Sequence, residues 1–99
     1  MSKTDKTGSP TTVSAESNRY TIAVEGNRVG KAEFRDRDGR RVFTHTEVDK
    51  NYEGRGLATI LIAEALQETR DAGLRIVAKC PMVAAYVKKH DEYSDIVDD

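Results

Sequence analysis

Apolar and polar residues alternate in three segments of the chain, which predicts β-strands over residues 20–24, 29–34 and 41–48. Turn-forming residues separate these segments at positions 25–27 and 36–39. Because connections this short join neighbouring antiparallel strands, we expect the three strands to form an antiparallel meander.

The apolar spacing then changes to the period of a helix, which we expect to run from Leu57 to about Arg70 and to stop at Gly73. Its apolar stripe consists of Leu57, Ile60, Leu61, Ile62, Ala65 and Leu66. Residues 74–78 predict a short buried strand, and Pro81 suits the first turn of a second helix that ends near Lys89. The predicted order is therefore βββαβα, an α/β (α+β) fold. A strand–helix–strand crossover makes its last strand parallel to the third.

The two ends of the chain lack this patterning. Residues 1–18 are rich in Ser, Thr, Lys and Gly, so we expect a flexible tail there and an ordered domain over residues 19–95. Residues 96–99 are expected to be an acidic tail in water.

Composition excludes several classes of protein. With 99 residues, of which 33% are charged, and a net charge of −1, the chain does not suit a nucleic-acid binder that relies on bulk positive charge. No apolar stretch approaches the length of a membrane span, so no membrane partner is expected. A single cysteine, Cys80, favours a reducing, cytoplasmic setting, and no metal site is predicted.

Between the third predicted strand and the first helix lies a glycine turn, residues 53–58. A turn of this kind leaves several backbone N–H groups unpaired at a helix N-terminus, where they favour the phosphates of a cofactor. It is not a Walker loop, because Leu57 follows Gly56 in place of lysine. It is not a dinucleotide fingerprint either, because the third glycine is replaced by Thr59. An ordinary β-to-α connection is the structural alternative.

The glycine turn resembles the pyrophosphate loop of the GCN5-related N-acetyltransferases, in which Gln or Arg precedes two residues, Gly, one residue, and Gly or Ala. Gly56 and Ala58 match the last two fixed positions, whereas Glu53 departs from the pattern at the first. The segment from Cys80 to Tyr93 resembles small stand-alone members of that family, and the whole resemblance covers roughly residues 20–93.

This resemblance implies a splayed sheet that binds acetyl-CoA between the third strand and the strand after the helix. The backbone of Glu47 and Val48 would then contact the pantetheine arm. The pyrophosphate would lie on the glycine turn, at Gly54, Arg55, Gly56, Leu57 and Ala58. Arg55 could also add its charge to the phosphates.

Four side chains are candidates for the chemistry. Cys80, at a helix N-terminus that favours a thiolate, is either an acyl acceptor or a buried residue that lines the pocket. His45 and Glu47 lie two apart on a strand and share a face, so either could take the proton from an amine, or both could be exposed strand residues. The resemblance suggests that Tyr86 protonates the departing thiolate, although its apolar neighbours fit a core aromatic as well.

The leading hypothesis is an N-acetyltransferase that moves an acetyl group from acetyl-CoA to an amine of a small molecule or a protein lysine. Direct transfer managed by His45 or Glu47 is preferred slightly over a relay through Cys80. A CoA-binding module without catalysis is the alternative, and a small protein-interaction domain is a third option. Because the chain is short for its family, little protein is left to enclose the acceptor, which is compatible with a homodimer.

Overall fold

The computed structural model describes residues 2–4 and 6–98, with side chains from residue 6 onwards. In this part of the chain there are strands β1 to β7 and helices α1 and α2. In chain order they are β1 (Ser2–Thr4), β2 (Pro10–Ala15), β3 (Arg19–Val24), β4 (Asn27–Arg37), β5 (Arg40–Val48), α1 (Leu57–Asp71), β6 (Arg75–Ala78), α2 (Pro81–Lys89) and β7 (Val97–Asp98). Two short 3₁₀ turns, Lys50–Tyr52 and Asp91–Ile96, precede α1 and follow α2.

The strands form one sheet in which they are ordered as they occur in the chain. Strands β1 to β5 pair antiparallel, whereas β6 pairs parallel with β5 and β7 parallel with β6. The predicted α/β fold is confirmed, including the meander and the parallel strand beside its last member.

In its described residues, 2–4 and 6–18, the N-terminal segment differs from the flexible tail expected over residues 1–18, of which residues 1 and 5 lie outside the described part. The strand β2 pairs along its length with β3, and Thr11 is only 1% exposed. The segment has few large apolar residues, so hydrophobic patterning gave no sign of a strand. Its backbone instead completes the hydrogen bonds of an otherwise open sheet edge.

The acidic tail expected over residues 96–99 differs in the same way, because Val97 and Asp98 form β7, while Asp99 lies outside the described residues. The Asp98 carboxylate lies 2.8 Å from Nε of Arg40 and 2.7 Å from Nε of Arg75. These two ion pairs connect the last strand to β5 and β6.

The hydrophobic core lies between α1 and the middle of the sheet. On the helix side it consists of Leu57, Leu61, Ile62, Ala65 and Leu66, all 3% exposed or less. On the sheet side Tyr20, Phe34 and Phe43 contact one another, with ring centroids 5.1 to 6.4 Å apart. The predicted helical stripe is thus the buried face of α1, apart from Ile60, which is only partly buried.

Strand β5 has 9 residues and is longer than its parallel neighbour β6, which has 4. Its pairing with β6 ends at Phe43 and Ala78, and the chain then turns away into α2. The carbonyl of Phe43 closes the ladder by accepting the N–H groups of Lys79 and Cys80, each at 3.0 Å. Beyond this point the end of β5 and the start of α2 diverge, which leaves a gap in the sheet.

Candidate active site

A cavity of about 400 Å³ lies where β5 diverges from α2 and the glycine turn begins. We call it the loop cavity. It is lined by Thr46, Glu47, Val48, Tyr52, Glu53, Gly54, Gly56, Leu57, Ala58, Thr59 and Met82. The end of β5 and the glycine turn, which the sequence singles out separately, therefore meet at one site.

The backbone of the glycine turn lines part of this cavity. Gly54 and Gly56 adopt φ angles of +82° and +78°, a left-handed conformation that glycine enters without steric cost. Gly56 is the N-cap of α1 and has no side chain with which to cap it. Among the described residues, no backbone carbonyl outside the helix accepts the N–H groups of Gly54, Gly56 or residues 57–59. These donors meet the requirement for an anion site.

Among the described residues, the charged side chains that line the loop cavity are acidic, namely Glu47 and Glu53. The guanidinium of Arg55 lies 4.8 Å from the centre of the Tyr52 ring, and Arg55 lines a different cavity beside Asn27. The structure therefore places the backbone of Arg55 in the turn but its side chain away from the loop cavity.

Lys6 is a neighbour of the glycine turn that sequence reasoning missed. Its backbone N–H donates to the carbonyl of Arg55 at 3.0 Å, and its aliphatic stem covers Gly56, where an added Cβ would lie 3.2 Å from Lys6 Cε. No local signal could have found this contact, because it depends on where β1 and β2 return along the sheet edge.

His45 and Glu47 share the solvent-facing side of β5. Nε2 of His45 lies 3.2 Å from Oε2 of Glu47, and the two side chains are 54% and 56% exposed. The hydrogen bond from His45, reinforced by the Lys31 ammonium 3.5 Å away, holds the pKa of Glu47 below its usual value. Glu47 lines the loop cavity, whereas His45 is not among its lining residues.

Cys80 is the N-cap of α2 and is 2% exposed. Its Sγ lies 3.4 Å from the Thr46 hydroxyl. Burial raises the pKa of the thiol, but hydrogen bonds from Thr46 and from the backbone of Val83 and Met82 outweigh it, so the net pKa is lowered. Thr46 lines the loop cavity and Cys80 does not, which makes the thiol a neighbour of the cavity wall.

Tyr86 lies in a second cavity of about 320 Å³, between α1 and α2, which we call the helix cavity. Its ring stacks on that of His90, with centroids 4.1 Å apart and planes 19° from parallel. Burial, followed by the neighbouring Tyr93 and Glu92, raises the pKa of the Tyr86 hydroxyl. The structure thus brings Glu47 and the glycine turn together, with Cys80 behind Thr46, and places Tyr86 in a different cavity.

Comparison with known proteins agrees with this architecture. The sequence model of the GCN5-related N-acetyl-transferase family matches residues 19–96, which is most of the chain. The chain therefore belongs to that family, and acetyl transfer by an acyltransferase, as predicted, is confirmed. Enzymes of this family in general take the acetyl group from acetyl-CoA and pass it to an amine acceptor.

Two solved structures share the fold. A GCN5-like protein from Staphylococcus aureus superimposes with a TM-score of 0.68 at 24% identity, over 87% of this chain and 86% of that one. The ribosomal-protein-alanine N-acetyltransferase from Brucella melitensis biovar Abortus gives a TM-score of 0.56 at 22% identity, over 85% and 64% respectively. A search of curated protein sequences found no match.

Two further properties concern the described residues alone. None of their helices is long and apolar enough to cross a membrane. Within residues 2–4 and 6–98, no group of three or more His, Cys, Asp or Glu side chains is placed to hold a metal ion.

Proposed function

We propose that this chain binds acetyl-CoA in the loop cavity and transfers the acetyl group directly to a primary amine. The observation that carries the proposal is that Glu47 lines the same cavity as Gly54, Gly56 and residues 57–59, whose N–H groups are accepted by no backbone carbonyl outside the helix among the described residues. The donors of the turn receive the pyrophosphate, and the open backbone edge of Glu47 and Val48 receives the pantetheine arm.

In the reaction, the lone pair of the amine nitrogen attacks the thioester carbon. The C–N bond forms, the C–S bond breaks, and the CoA thiolate leaves. The amine must lose a proton, and Glu47 is the acceptor that faces the cavity. His45 passes that proton on to solvent, because its ring nitrogen lies 3.2 Å from the carboxylate and both side chains are exposed.

A covalent relay through Cys80 is the second candidate, and the lowered pKa of its thiol is the observation that favours it. A nucleophile has to reach the thioester carbon, however, and Cys80 is buried behind Thr46. We therefore assign the thiol to the wall behind the cavity and prefer direct transfer.

Tyr86 is separated from Glu47 by its position in the helix cavity. Solvent at the open mouth of the loop cavity is the proton source that we propose for the CoA thiolate.

The acceptor is an amine of a small molecule or a protein lysine, which reaches Glu47 from the open side of β5. We further propose a reducing compartment such as the cytoplasm, which keeps the free thiol of Cys80 reduced. A homodimer would enclose the acceptor side, and size-exclusion chromatography with light scattering measures whether one forms.

The experiment is a thiol-release assay with acetyl-CoA and a panel of primary amines, alongside calorimetric titration with CoA. Turnover that survives in Cys80→Ala but falls in Glu47→Gln supports direct transfer. An acetylated Cys80 seen by mass spectrometry, with loss of turnover in Cys80→Ala, would establish the relay. Binding of CoA without acetylation of any amine would indicate the alternative, a CoA-binding module without catalysis.

A further inference from the structure

A cavity of about 580 Å³ adjoins the loop cavity, between the start of β4 and the end of β5. We call it the strand cavity. The two cavities share Glu47 and Val48, so the carboxylate that we propose as the base lines both. Among the described residues, none of the glycine turn lines the strand cavity. An amine bound there therefore meets Glu47 from a side that the diphosphate does not occupy.

The charged groups around the strand cavity are unevenly distributed. At the end shared with the loop cavity, Nζ of Lys31 lies 3.5 Å from Oε1 of Glu47 and 3.7 Å from Oε2 of Glu33. His45, beside Glu47, adds a charge only when its ring is protonated. This end thus has two carboxylates for one ammonium, and the surplus negative charge attracts an amine. The charged lining of the whole cavity is Arg19, Arg28, Lys31, Lys50, Glu47 and Asp49.

The balance is reversed around Glu16. Its Oε1 accepts from Nε of Arg19 at 2.6 Å, and its Oε2 accepts from a terminal nitrogen of Arg28 at 2.7 Å. One carboxylate therefore serves two guanidiniums, each of which has further N–H donors. Arg19 also stands opposite Glu33 in the register of β3 and β4, whereas the side chain of Arg28 is 57% exposed. The surplus positive charge thus resides at Arg28.

The two ends are separated along β4. Lys31 lies three residues after Arg28, which is about 10 Å at the rise of a strand. Because β5 runs antiparallel to β4, Lys50 lies towards the Arg28 end of the cavity. Asp49 is occupied locally, since its Oδ1 accepts the N–H of Asn51 at 3.1 Å.

A cavity that is negative at one end and positive at the other suits a ligand with the opposite arrangement of charge. Resting on the proposed function, we propose that the acceptor is a primary amine that carries an anionic group, a carboxylate or a phosphate, on the same molecule. Its amine lies beside Glu47, and Arg28 and Lys50 bind its anion. A diamine would instead place its second ammonium against Arg28, which disfavours it.

The experiment compares acceptors that differ at one end only. Thiol release from acetyl-CoA is measured with ε-aminocaproate, with hexylamine, which lacks the acid, and with hexamethylenediamine, which replaces the acid by an amine. Wild type should use ε-aminocaproate with a kcat/KM about fivefold above that of hexylamine, and should use the diamine least well. Added salt should reduce this preference. Aminohexyl phosphate, tested alongside, shows whether the site prefers a phosphate to a carboxylate.

Three substitutions test the positive end. Arg28→Gln removes the surplus charge and should reduce the ratio of kcat/KM between ε-aminocaproate and hexylamine from about five to about one, through a higher KM for ε-aminocaproate. Glu16→Gln releases both guanidiniums and should raise this ratio above that of wild type. Arg37→Gln is the matched control, because it makes the same change at the other end of β4, where the side chain is 84% exposed. It should keep the wild-type ratio, and circular dichroism shows that each variant is folded.

The outcomes separate this inference from the proposed function. If CoA binds but no amine is acetylated, the proposed function fails and the assignment of the acceptor fails with it. If amines are acetylated but wild type does not distinguish ε-aminocaproate from hexylamine, only the acceptor class is wrong. Equal ratios in Arg28→Gln and Arg37→Gln would likewise overturn the role of Arg28. Opposite shifts in Arg28→Gln and Glu16→Gln would establish it.

Discussion

Replacement of Gly56 by alanine tests whether the glycine turn binds the diphosphate. Gly56 has a φ of +78° at the N-cap of α1, and Gly39 in the turn between β4 and β5 has almost the same φ, +77°. The two glycines are therefore matched in backbone strain. Gly56 lines the loop cavity, whereas Gly39 lies at the other end of β5.

A left-handed conformation costs an alanine about 1–2 kcal/mol relative to glycine. Space around the new methyl group adds little in either variant. At Gly39 nothing lies within 4 Å of the added Cβ, and at Gly56 the nearest atom is Lys6 Cε at 3.2 Å, on a flexible side chain that can move. Each variant should thus lose about 1–2 kcal/mol, or at least 4–8 °C in Tm for a domain of this size.

The two variants should differ in cofactor affinity. At Gly56 the turn relieves its strain by leaving the left-handed region, which turns the N–H groups away from the phosphates. A penalty of about 1–2 kcal/mol lowers the binding-competent fraction by a factor of about 5–30, and the Kd for CoA rises by the same factor. Gly39→Ala should bind CoA as wild type does.

Calorimetric titration of CoA at a temperature where both variants are folded measures this difference, and thermal unfolding without ligand checks that the strain is matched. Equal CoA affinities in Gly56→Ala and Gly39→Ala, with similar losses in Tm, would falsify the assignment of the diphosphate to this turn.

Three further predictions address the chemistry and the fold. Glu47→Gln should lower kcat about 100-fold with little change in the KM for acetyl-CoA. The control is Glu53→Gln, which removes the other acid of the loop cavity and should keep kcat. Equal losses of kcat in both variants would contradict the role of Glu47. Thr46→Val should leave kcat within about threefold of Thr69→Val, the same change at another buried threonine, because the Cys80 thiol that contacts Thr46 is not the nucleophile; a selective loss of tenfold or more, in step with a raised pKa of Cys80, would favour the relay. Arg41→Lys should cost about 1 kcal/mol, because lysine cannot reproduce the two-pronged contact with Asp36 at 2.7 and 2.8 Å. Arg41 lowers the pKa of Asp36 in the folded protein. The ion pair therefore stabilises the wild-type fold fully above pH 3.8, the ordinary pKa of aspartate, and this stabilisation is lost as the pH falls through the lower pKa of the folded state. The variant should accordingly show a smaller loss of Tm in acid.

The central elements could be predicted from the sequence because their signals are local. The stripe from Leu57 to Leu66 has the period of a helix, and the two ends of that helix are marked by glycine residues. The parallel pairing of β5 and β6 then followed from the handedness of a strand–helix–strand unit. Strands β2 and β7 gave no such signal, because Thr11 and Asp98 are held by contacts with residues distant in the chain.

The positions of the candidate side chains depend on a local irregularity that no pattern indicated. The register of β4 and β5 shifts between Glu33 and Phe34, opposite Thr44, so that Thr44 and His45 are both exposed between the buried Phe43 and Thr46. Strict alternation from Phe43 would have buried His45 and Glu47 and turned Thr46 outwards. The bulge reverses this order: it directs Thr46 towards Cys80 and leaves Glu47 in water beside His45. A single extra residue in β5 thus determines which side chain meets the thiol and which remains available to an incoming amine.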